Sequence, residues 1–575
     1  MTGKWVSRAV YVSVHAIRRR VDSLVASVQH RPGVERLLKV LRRPLAWVVR
    51  RFFRAAFDRQ ELIQAREIMR DAPEQPVSGP KILFMSFRMW ANHVTWDVTM
   101  AQALRLRGAR CEFFFSGGGL PICEIGWAAT AEVSPCVRCG NYVAAMADAA
   151  GFPRIRLDDL VPPHERDALM KEVEESNDPQ EAAERLAGRP LGAAIEPSLV
   201  WFFRSATLPD TEAARNARRD FLSGAAIMAR ATPRLLETVK PDTIVMVNGR
   251  FYEEEIVRQI AGAEGVRVVS YEVGAQRETL FFSEGVDRPA SDYSIEDLWD
   301  RFGNAPLSGM QEAELARVIA DRRSGANAHR RYYQKPRSLD SDGAKPRVVL
   351  FTNVTWDTAV IGKNRAFPSM FDWIRRTIED AMGDPAYELV VRVHPAESRW
   401  SGLESSERFA DWASREFGEL PSHVRIVRPE ESVDSYSLMD DADVVLVYSS
   451  TVGLEAAVLG KPVCIAGDTH YRGRGFTVDI DSPAEYDEVL RKIRKGDLAA
   501  AAPDLARRYA YLFFCRAMIP FPAVDMTEFG EPRFRYGSVA ELGEGRDLGL
   551  DLICESLLGK GSFRLDADLE ATANR

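Results

Sequence analysis

The sequence has no apolar run near the roughly 18 residues that a helix needs to cross a bilayer, because its best candidates are broken by Arg or stop early. No membrane-spanning helix is therefore expected. Positive charge is also in deficit, and a net charge of -7 argues against general nucleic-acid binding. Cysteine is sparse, at seven residues scattered over 575. The apolar stretch Ala9 to Ile17 is too short for a signal peptide and runs into Arg18-Arg19-Arg20 with no small-residue cleavage site. A cytoplasmic, reducing setting with free thiols is expected rather than a disulfide framework. Core-forming residues, by contrast, are present in ordinary measure, with 46% hydrophobic and 28% charged residues, as in globular proteins. At this length a single core stops growing, so two large domains with additions are expected.

The net negative charge hides a basic N-terminus, since residues 1–56 carry 13 Lys and Arg against only Asp22 and Glu35. Leu38, Leu41, Leu45, Val48 and Phe52 recur at helical spacing, with Lys39, Arg43, Arg50, Arg51 and Arg54 opposite. Such a helix, kinked at Pro44, can lie on an anionic membrane surface, or it can pack on the protein itself. The charge asymmetry favours the membrane, giving a peripheral protein on the inner face of the cell membrane.

The spacing predicts a basic helical segment over 1–78, a first α/β domain over 79–335, a second over 346–525 and a C-terminal tail over 526–575. In the first domain, Lys81 to Ser86, Cys111 to Phe115, Thr243 to Val247 and Val266 to Tyr271 read as strands between helical patterns. Arg322 to Pro346 reads as a linker. Beyond it, Val348 to Phe351, Leu389 to Val393, Val424 to Val427, Val444 to Val447 and Pro462 to Ala466 read as strands of a second parallel sheet. Two Rossmann-type units imply a cleft, with ligands at the C-terminal ends of the strands. The stretch from about Asp504 is expected to cross back to the first domain.

Ser449-Ser450-Thr451 ends a buried strand and opens a helix, so hydroxyls and free backbone N–H groups converge as an anion site. Gly453 would admit a ligand close to the backbone, and Glu455 could reach ribose hydroxyls. A well-capped helix explains the same residues without a ligand. His394-Pro395 ends another strand of the same sheet on the same edge, where a His can bond a phosphate or, protonated, offset developing negative charge. Asn353 to Asp357 leads to Lys363 and Arg365, which could clamp phosphates or simply be solvated.

His394-Pro395, Ser449 to Glu455, Gly460-Lys-Pro and Tyr471-Arg-Gly-Arg-Gly-Phe-Thr477 together resemble the capsule polysaccharide biosynthesis family, which includes bacterial Kdo transferases. The resemblance implies a GT-B-like fold, doubly wound Rossmann-type domains facing across a cleft. It implies donor nucleotide in the second domain and acceptor against the first. Carried onto matching positions, it places donor phosphate at His394 and the Ser-Ser-Thr turn and ribose at Glu455. It also implies work without a metal cofactor, with helix dipole and basic side chains in its place. Unlike the Kdo transferases, the chain has no tandem repeat of the catalytic unit, and CMP and UDP donors stay equally open.

In the first domain, His93 and Asp97 are the candidates for a general base that takes a proton from an acceptor hydroxyl, or else Thr95 simply caps a helix there. Asn248 to Glu253, and Glu272, are expected to face the acceptor. Cys123, Cys136 and Cys139, with Cys111 as a spare ligand, could bind a metal but lack an obvious fourth partner, and idle thiols are the alternative. The expected activity is glycosyl transfer from a nucleotide sugar to a glycan or glycolipid acceptor. A nucleotide-sugar epimerase of the same build and a non-catalytic polysaccharide-assembly protein are its rivals.

Overall fold

The computed structural model describes residues 59–569 apart from 126–135, 327–336, 340–344, 358–359, 400–404, 499–501, 527–530 and 568. The basic helix expected over Leu38 to Phe52 lies outside the described residues. Among those described, no helix is long and apolar enough to cross a membrane.

Strands β1 (Lys81–Met85), β2 (Arg110–Phe115), β3 (Arg154–Arg156), β4 (Thr243–Val247), β5 (Arg267–Val273) and β6 (Thr279–Glu284) form the first sheet. A second contains β7 (Arg347–Phe351), β8 (Glu388–Arg392), β9 (Val424–Val427), β10 (Val444–Val447), β11 (Val463–Ile465) and β12 (Val478–Asp479). Every pair in the second sheet is parallel. Both faces of its central strands are covered by helices, which is why Val444 to Val447 and Val348 to Phe351 are apolar without alternation. All four residues of β10 are buried. Ile82, Leu83 and Phe84 of β1 have no exposed surface, each stabilising the fold by about 1.5–3 kcal/mol.

The strand orders are β6-β5-β4-β1-β2-β3 and β12-β11-β10-β7-β8-β9. In each sheet the winding reverses once, between β1 and β4 and between β7 and β10, and a crevice opens at that point beyond the C-terminal strand ends. The runs read as strands all fall in the sheets. The antiparallel β6 and the short β3 and β12 had no such apolar signature.

The C-terminal segment does cross back. Helix Pro503–Tyr511 packs in the second unit's core, and β13 (Ile519–Pro520) then pairs antiparallel with β6 at the edge of the first sheet. The hairpin of β14 (Val524–Met526) and β15 (Pro532–Phe534) and helix Leu548–Leu557 follow. Phe534, Tyr536, Leu550, Ile553 and Leu557 share one apolar cluster with Val98, Ala101 and Leu104 of helix Ala91–Leu106. Residues read as a tail thus complete the first unit's core.

The exchange is mutual. Leu298, Leu315, Val318 and Ile319, from helices Glu296–Phe302 and Gly309–Arg323, pack with Ala506 and Tyr509 of the second unit. Arg322 and Arg323 end a helix rather than begin a linker, because each finds a carboxylate, Glu455 and Asp440, on the second unit.

Candidate functional site

Four neighbouring strands of the second sheet, β11, β10, β7 and β8, deliver their C-terminal loops to one edge. After β8, the His394 backbone N–H donates to Thr352 Oγ1 at 3.0 Å. The ring Nδ1 accepts from the Ala396 N–H at 3.1 Å, so the ring proton sits on Nε2. Burial, with Arg392 behind it, lowers the His394 pKa to about 4. The imidazole therefore acts near pH 7 as a neutral donor, not as the cation considered from sequence.

After β10, the Ser449 N–H donates to Asn353 Oδ1 at 3.3 Å, while its Oγ is buried with no hydrogen-bond partner. Ser450 Oγ accepts from the Val452 N–H at 3.3 Å. Thr451 occupies the N-cap of helix Val452–Val458 without a side-chain cap bond. His394 and Ser449 do not touch, because β7 lies between their strands. At about 4.8 Å per strand they are roughly 10 Å apart. Thr352 and Asn353, at the end of β7, bond to one each and tie them into a single rim.

Gly453 serves packing: a Cβ there would overlap the Tyr471 hydroxyl and come within 2.9 Å of Val447 Cγ2. The close approach is made by Tyr471, not left open for a ligand. Glu455 is 3% exposed, with Oε1 bound by Arg322 at 2.6 Å and Oε2 by Tyr436 at 3.0 Å. A ribose would have to displace one of these partners. Lys363 Nζ bonds Asp292 Oδ1 of the first unit at 2.9 Å, and Arg250 bonds the same oxygen, so the three span the gap between the units. Arg365 is 53% exposed, with Asp468 4.0 Å away, so it stands as a solvated charge.

His470, on the loop after β11, was not singled out from sequence, although it directly precedes the Tyr471 to Thr477 motif at a strand end. Tyr509 donates its hydroxyl proton to the His470 carbonyl at 2.5 Å, so the His470 Nδ1 proton is the one shared at 3.1 Å with that hydroxyl oxygen. Nε2 is then an acceptor, and it is buried without a partner. Burial, Lys363 and Arg474 lower its pKa to about 3 and keep it neutral.

Across the gap, Asp97 is 2% exposed and accepts from Ser86 Oγ at 2.5 Å and the Tyr271 hydroxyl at 2.6 Å. Burial pushes its pKa up to about 7, against those two bonds. It is sealed beneath the surface, out of reach of an acceptor hydroxyl. Thr95 does not cap the helix, which starts at Ala91, and its hydroxyl bonds back to the Ala91 carbonyl at 2.6 Å. His93 is half-buried among Trp90, Trp96 and Tyr271, and burial with nearby Arg88 lowers its pKa to about 3, making it a weak proton acceptor.

Asn248 ends β4 in the left-handed region, at φ 58°, which Asn tolerates better than most residues. It turns the chain into helix Tyr252–Ala263, whose first-turn Glu253 and Glu254 are buried on Arg88. Glu124 bonds the same guanidinium at 3.2 Å, so three carboxylates surround one cation. Burial, with Arg88 opposing, raises the pKa of both Glu253 and Glu254. Of the Asn248 to Glu253 stretch, Arg250 shares the Asp292 carboxylate with Lys363 of the second unit. Glu272, half-buried at the end of β5, accepts from the Val273 N–H at 2.8 Å. Burial, reinforced by Asp357 of the second unit, raises its pKa to about 7, the value a proton acceptor at neutral pH needs.

Cys111, Cys123 and Cys139 are buried and form no disulfide with one another. The side chain of Cys136 lies outside the described ones, and among the described residues no group of three or more His, Cys, Asp and Glu is placed to hold a metal.

Comparison with curated proteins gives no match. Among solved structures, the beta Kdo 2,4 transferase KpsC of Thermosulfurimonas dismutans is 16% identical, covering 52% of this chain and 87% of its own, at a TM-score of 0.33. The glycosyltransferase SnogD of Streptomyces nogalater is 15% identical, over 76% of this chain and 95% of its own, at 0.22. A putative UDP-N-acetylglucosamine 2-epimerase of Listeria monocytogenes is 11% identical, over 75% and 94%, at 0.24. The fold rests on the chain's own two sheets. A family comparison is more specific: the stretch from helix Gly309–Arg323 through the second sheet to helix Pro503–Tyr511 bears the motifs and the rim described above. Over residues 307–512 this chain matches the family described as capsule polysaccharide biosynthesis protein, the resemblance its motifs carried.

Proposed function

We propose that this protein transfers a sugar from a nucleotide-sugar donor to a hydroxyl of a surface or capsular polysaccharide or lipid-linked glycan. The family match over 307–512 supports glycosyl transfer in general. The observation that carries the finer reading is the rim of the second sheet. His394 presents a neutral N–H donor, and Ser449 Oγ and His470 Nε2 are buried polar atoms without partners, on loops from β8, β10 and β11. Leaving such atoms unpaired costs about 1–3 kcal/mol each, which a polar ligand would recover.

In this reading a donor's phosphates lie along the rim from Ser449 toward His394, and Lys363 exchanges Asp292 for phosphate. Donor hydroxyls meet His470 Nε2. Glu272, across the gap, takes the acceptor's proton, while Asp97 and His93 hold the wall around it. The basic segment before residue 59 keeps the enzyme at the inner membrane surface, where a lipid-linked acceptor would be found.

The test is to offer the purified full chain a panel of CMP- and UDP-sugars and follow nucleotide release with and without glycan acceptors. Acceptor-stimulated release is expected. Interconversion of the sugar without release would instead make it an epimerase, and absence of nucleotide binding would make it an assembly scaffold.

A further inference from the structure

At the C-terminal edge of the first sheet, aromatic rings gather that the transfer chemistry above does not use. Trp90 follows β1, Phe251 follows β4, and Trp201 lies near the end of helix Gly192–Phe203. The three rings contact one another, with centroids 5.9, 5.9 and 5.5 Å apart. Trp201 also meets Trp356 of the second unit edge to face at 4.8 Å, and His93 meets Trp90 at 5.5 Å.

Phe251 and Trp356 are fully buried, but Trp90, Trp201 and His93 keep part of their surface exposed. Their position is fixed from behind. The Arg88 guanidinium lies 5.3 Å from the Trp90 ring and 4.5 Å from Phe251, and it is itself locked by Glu124, Glu253 and Glu254. Trp201 packs in one small cluster with Val354, Trp356 and Ala396, the last being the residue whose N–H fixes the His394 ring. The half-exposed rings thus border the turn that carries His394. At their base His93 Nδ1 is buried without a partner.

We infer that Trp90 and Trp201 form a saccharide subsite, where a pyranose ring of the acceptor stacks its C–H face on the indoles and turns a hydroxyl to His93 Nδ1. The inference rests on the glycosyl-transfer reading. A pyranose is suited to such a wall because its axial C–H bonds form a weakly positive, apolar face that meets the negative face of an aromatic ring, while its equatorial hydroxyls need polar partners at the edge. A lipid chain would gain nothing from His93. A nucleobase would stack equally well, but the orphaned acceptor and donor groups that suit a nucleotide lie along the rim of the second sheet. Rigid rings also lose little conformational freedom on binding, which suits a weakly hydrophobic ligand.

The experiment titrates the full chain with a panel of methyl pyranosides and, separately, with CMP and UMP, following intrinsic tryptophan fluorescence and ligand saturation-transfer signals. Trp90→Ala, Trp201→Ala and the milder Trp201→Phe are compared with the unaltered protein, with near-ultraviolet circular dichroism as the check on folding. At least one pyranoside is expected to bind, weakened roughly tenfold in each Ala variant and less in Trp201→Phe. Nucleotide affinity is expected to stay within about twofold. The subsite is overturned if no pyranoside binds, if pyranoside binding survives both Ala variants, or if the nucleotides lose affinity in them and pyranosides do not. Pyranoside binding that depends on both Trp residues in a protein that binds no nucleotide would keep the subsite and remove the transferase.

Discussion

His394 carries its proton on Nε2 because its Nδ1 is occupied by the Ala396 N–H. A side chain that restores a donor near that position should therefore preserve more function than one that removes it. His394→Ala is expected to lower the rate of nucleotide release by about 10²-fold, the usual loss for one preorganised donor, and His394→Gln by distinctly less. With the ring pKa near 4, the rate should show no His394 limb when followed from pH 5.5 to 8.5. Asp97 makes a different prediction, about stability. Its pKa near 7 in the fold lies above the value of about 3.9 in the unfolded chain, so the folded state holds the extra proton between them. The stability this contributes is complete below about pH 4 and is lost as pH rises to about 7. In urea denaturation, Asp97→Asn should lose less unfolding free energy across that window than the unaltered protein, and equal slopes would show that the carboxyl is not the titrating group.

The helix Val452–Val458 meets the Tyr471 loop so closely that glycine is the only residue position 453 accepts. Gly453→Ala is expected to lower stability by about 1–3 kcal/mol in thermal denaturation, the range for overpacking a filled interior. Adding Tyr471→Phe should recover part of it, since the nearer clash is with the hydroxyl while the one with Val447 Cγ2 remains. Recovery stays partial because the hydroxyl also donates to the Ser450 carbonyl at 2.6 Å, a bond worth about 1 kcal/mol. At the same scale, helix Gly309–Arg323 sends Arg322 to Glu455, a nearly buried carboxylate. Arg322→Ala would leave that charge without its cation and should cost about 3 kcal/mol, whereas Arg322→Lys should keep much of it. These contacts explain why the sequence pattern alone set the helix and strand positions here but misjudged their duties. Ser449 to Glu455 was visible as a strand-to-helix turn with hydroxyls, yet that Glu455 and Gly453 answer to Arg322, Tyr436 and Tyr471 depends on residues up to 133 positions away.

Across the whole molecule, the two α/β units exchange segments. Helix Leu548–Leu557 lies on the helix Ala91–Leu106, so Ile553→Ala is expected to cost about 2–5 kcal/mol and to weaken the unit that contains β1, hundreds of residues earlier. Chemical denaturation monitored separately for each unit, for instance by protection of backbone amides in β4 and in β10, distinguishes this from a loss confined to the C-terminus. The exchange also ties the relative placement of the two sheet edges to packed interiors on both sides, in addition to the Lys363–Asp292–Arg250 contact in the gap.

The sequence by itself determined the parallel strands of the two sheets, because fully buried strands must be apolar throughout and Ile244 to Val247, Val348 to Phe351 and Val444 to Val447 announce themselves as such. It also determined that His394, Ser449 and the loop after β7 share one edge, since parallel strands of a doubly wound sheet end on the same side. Only the tertiary structure decided which polar groups are engaged and which stand without partners: Asp97 sealed under Ser86 and Tyr271, Arg88 ringed by Glu124, Glu253 and Glu254, His470 Nε2 and Ser449 Oγ unpaired. The reason is physical. Period and composition report whether a residue faces water or core, but the charge state of an ionisable group and the hydrogen bonds open to a polar one are set by neighbours brought from distant parts of the chain.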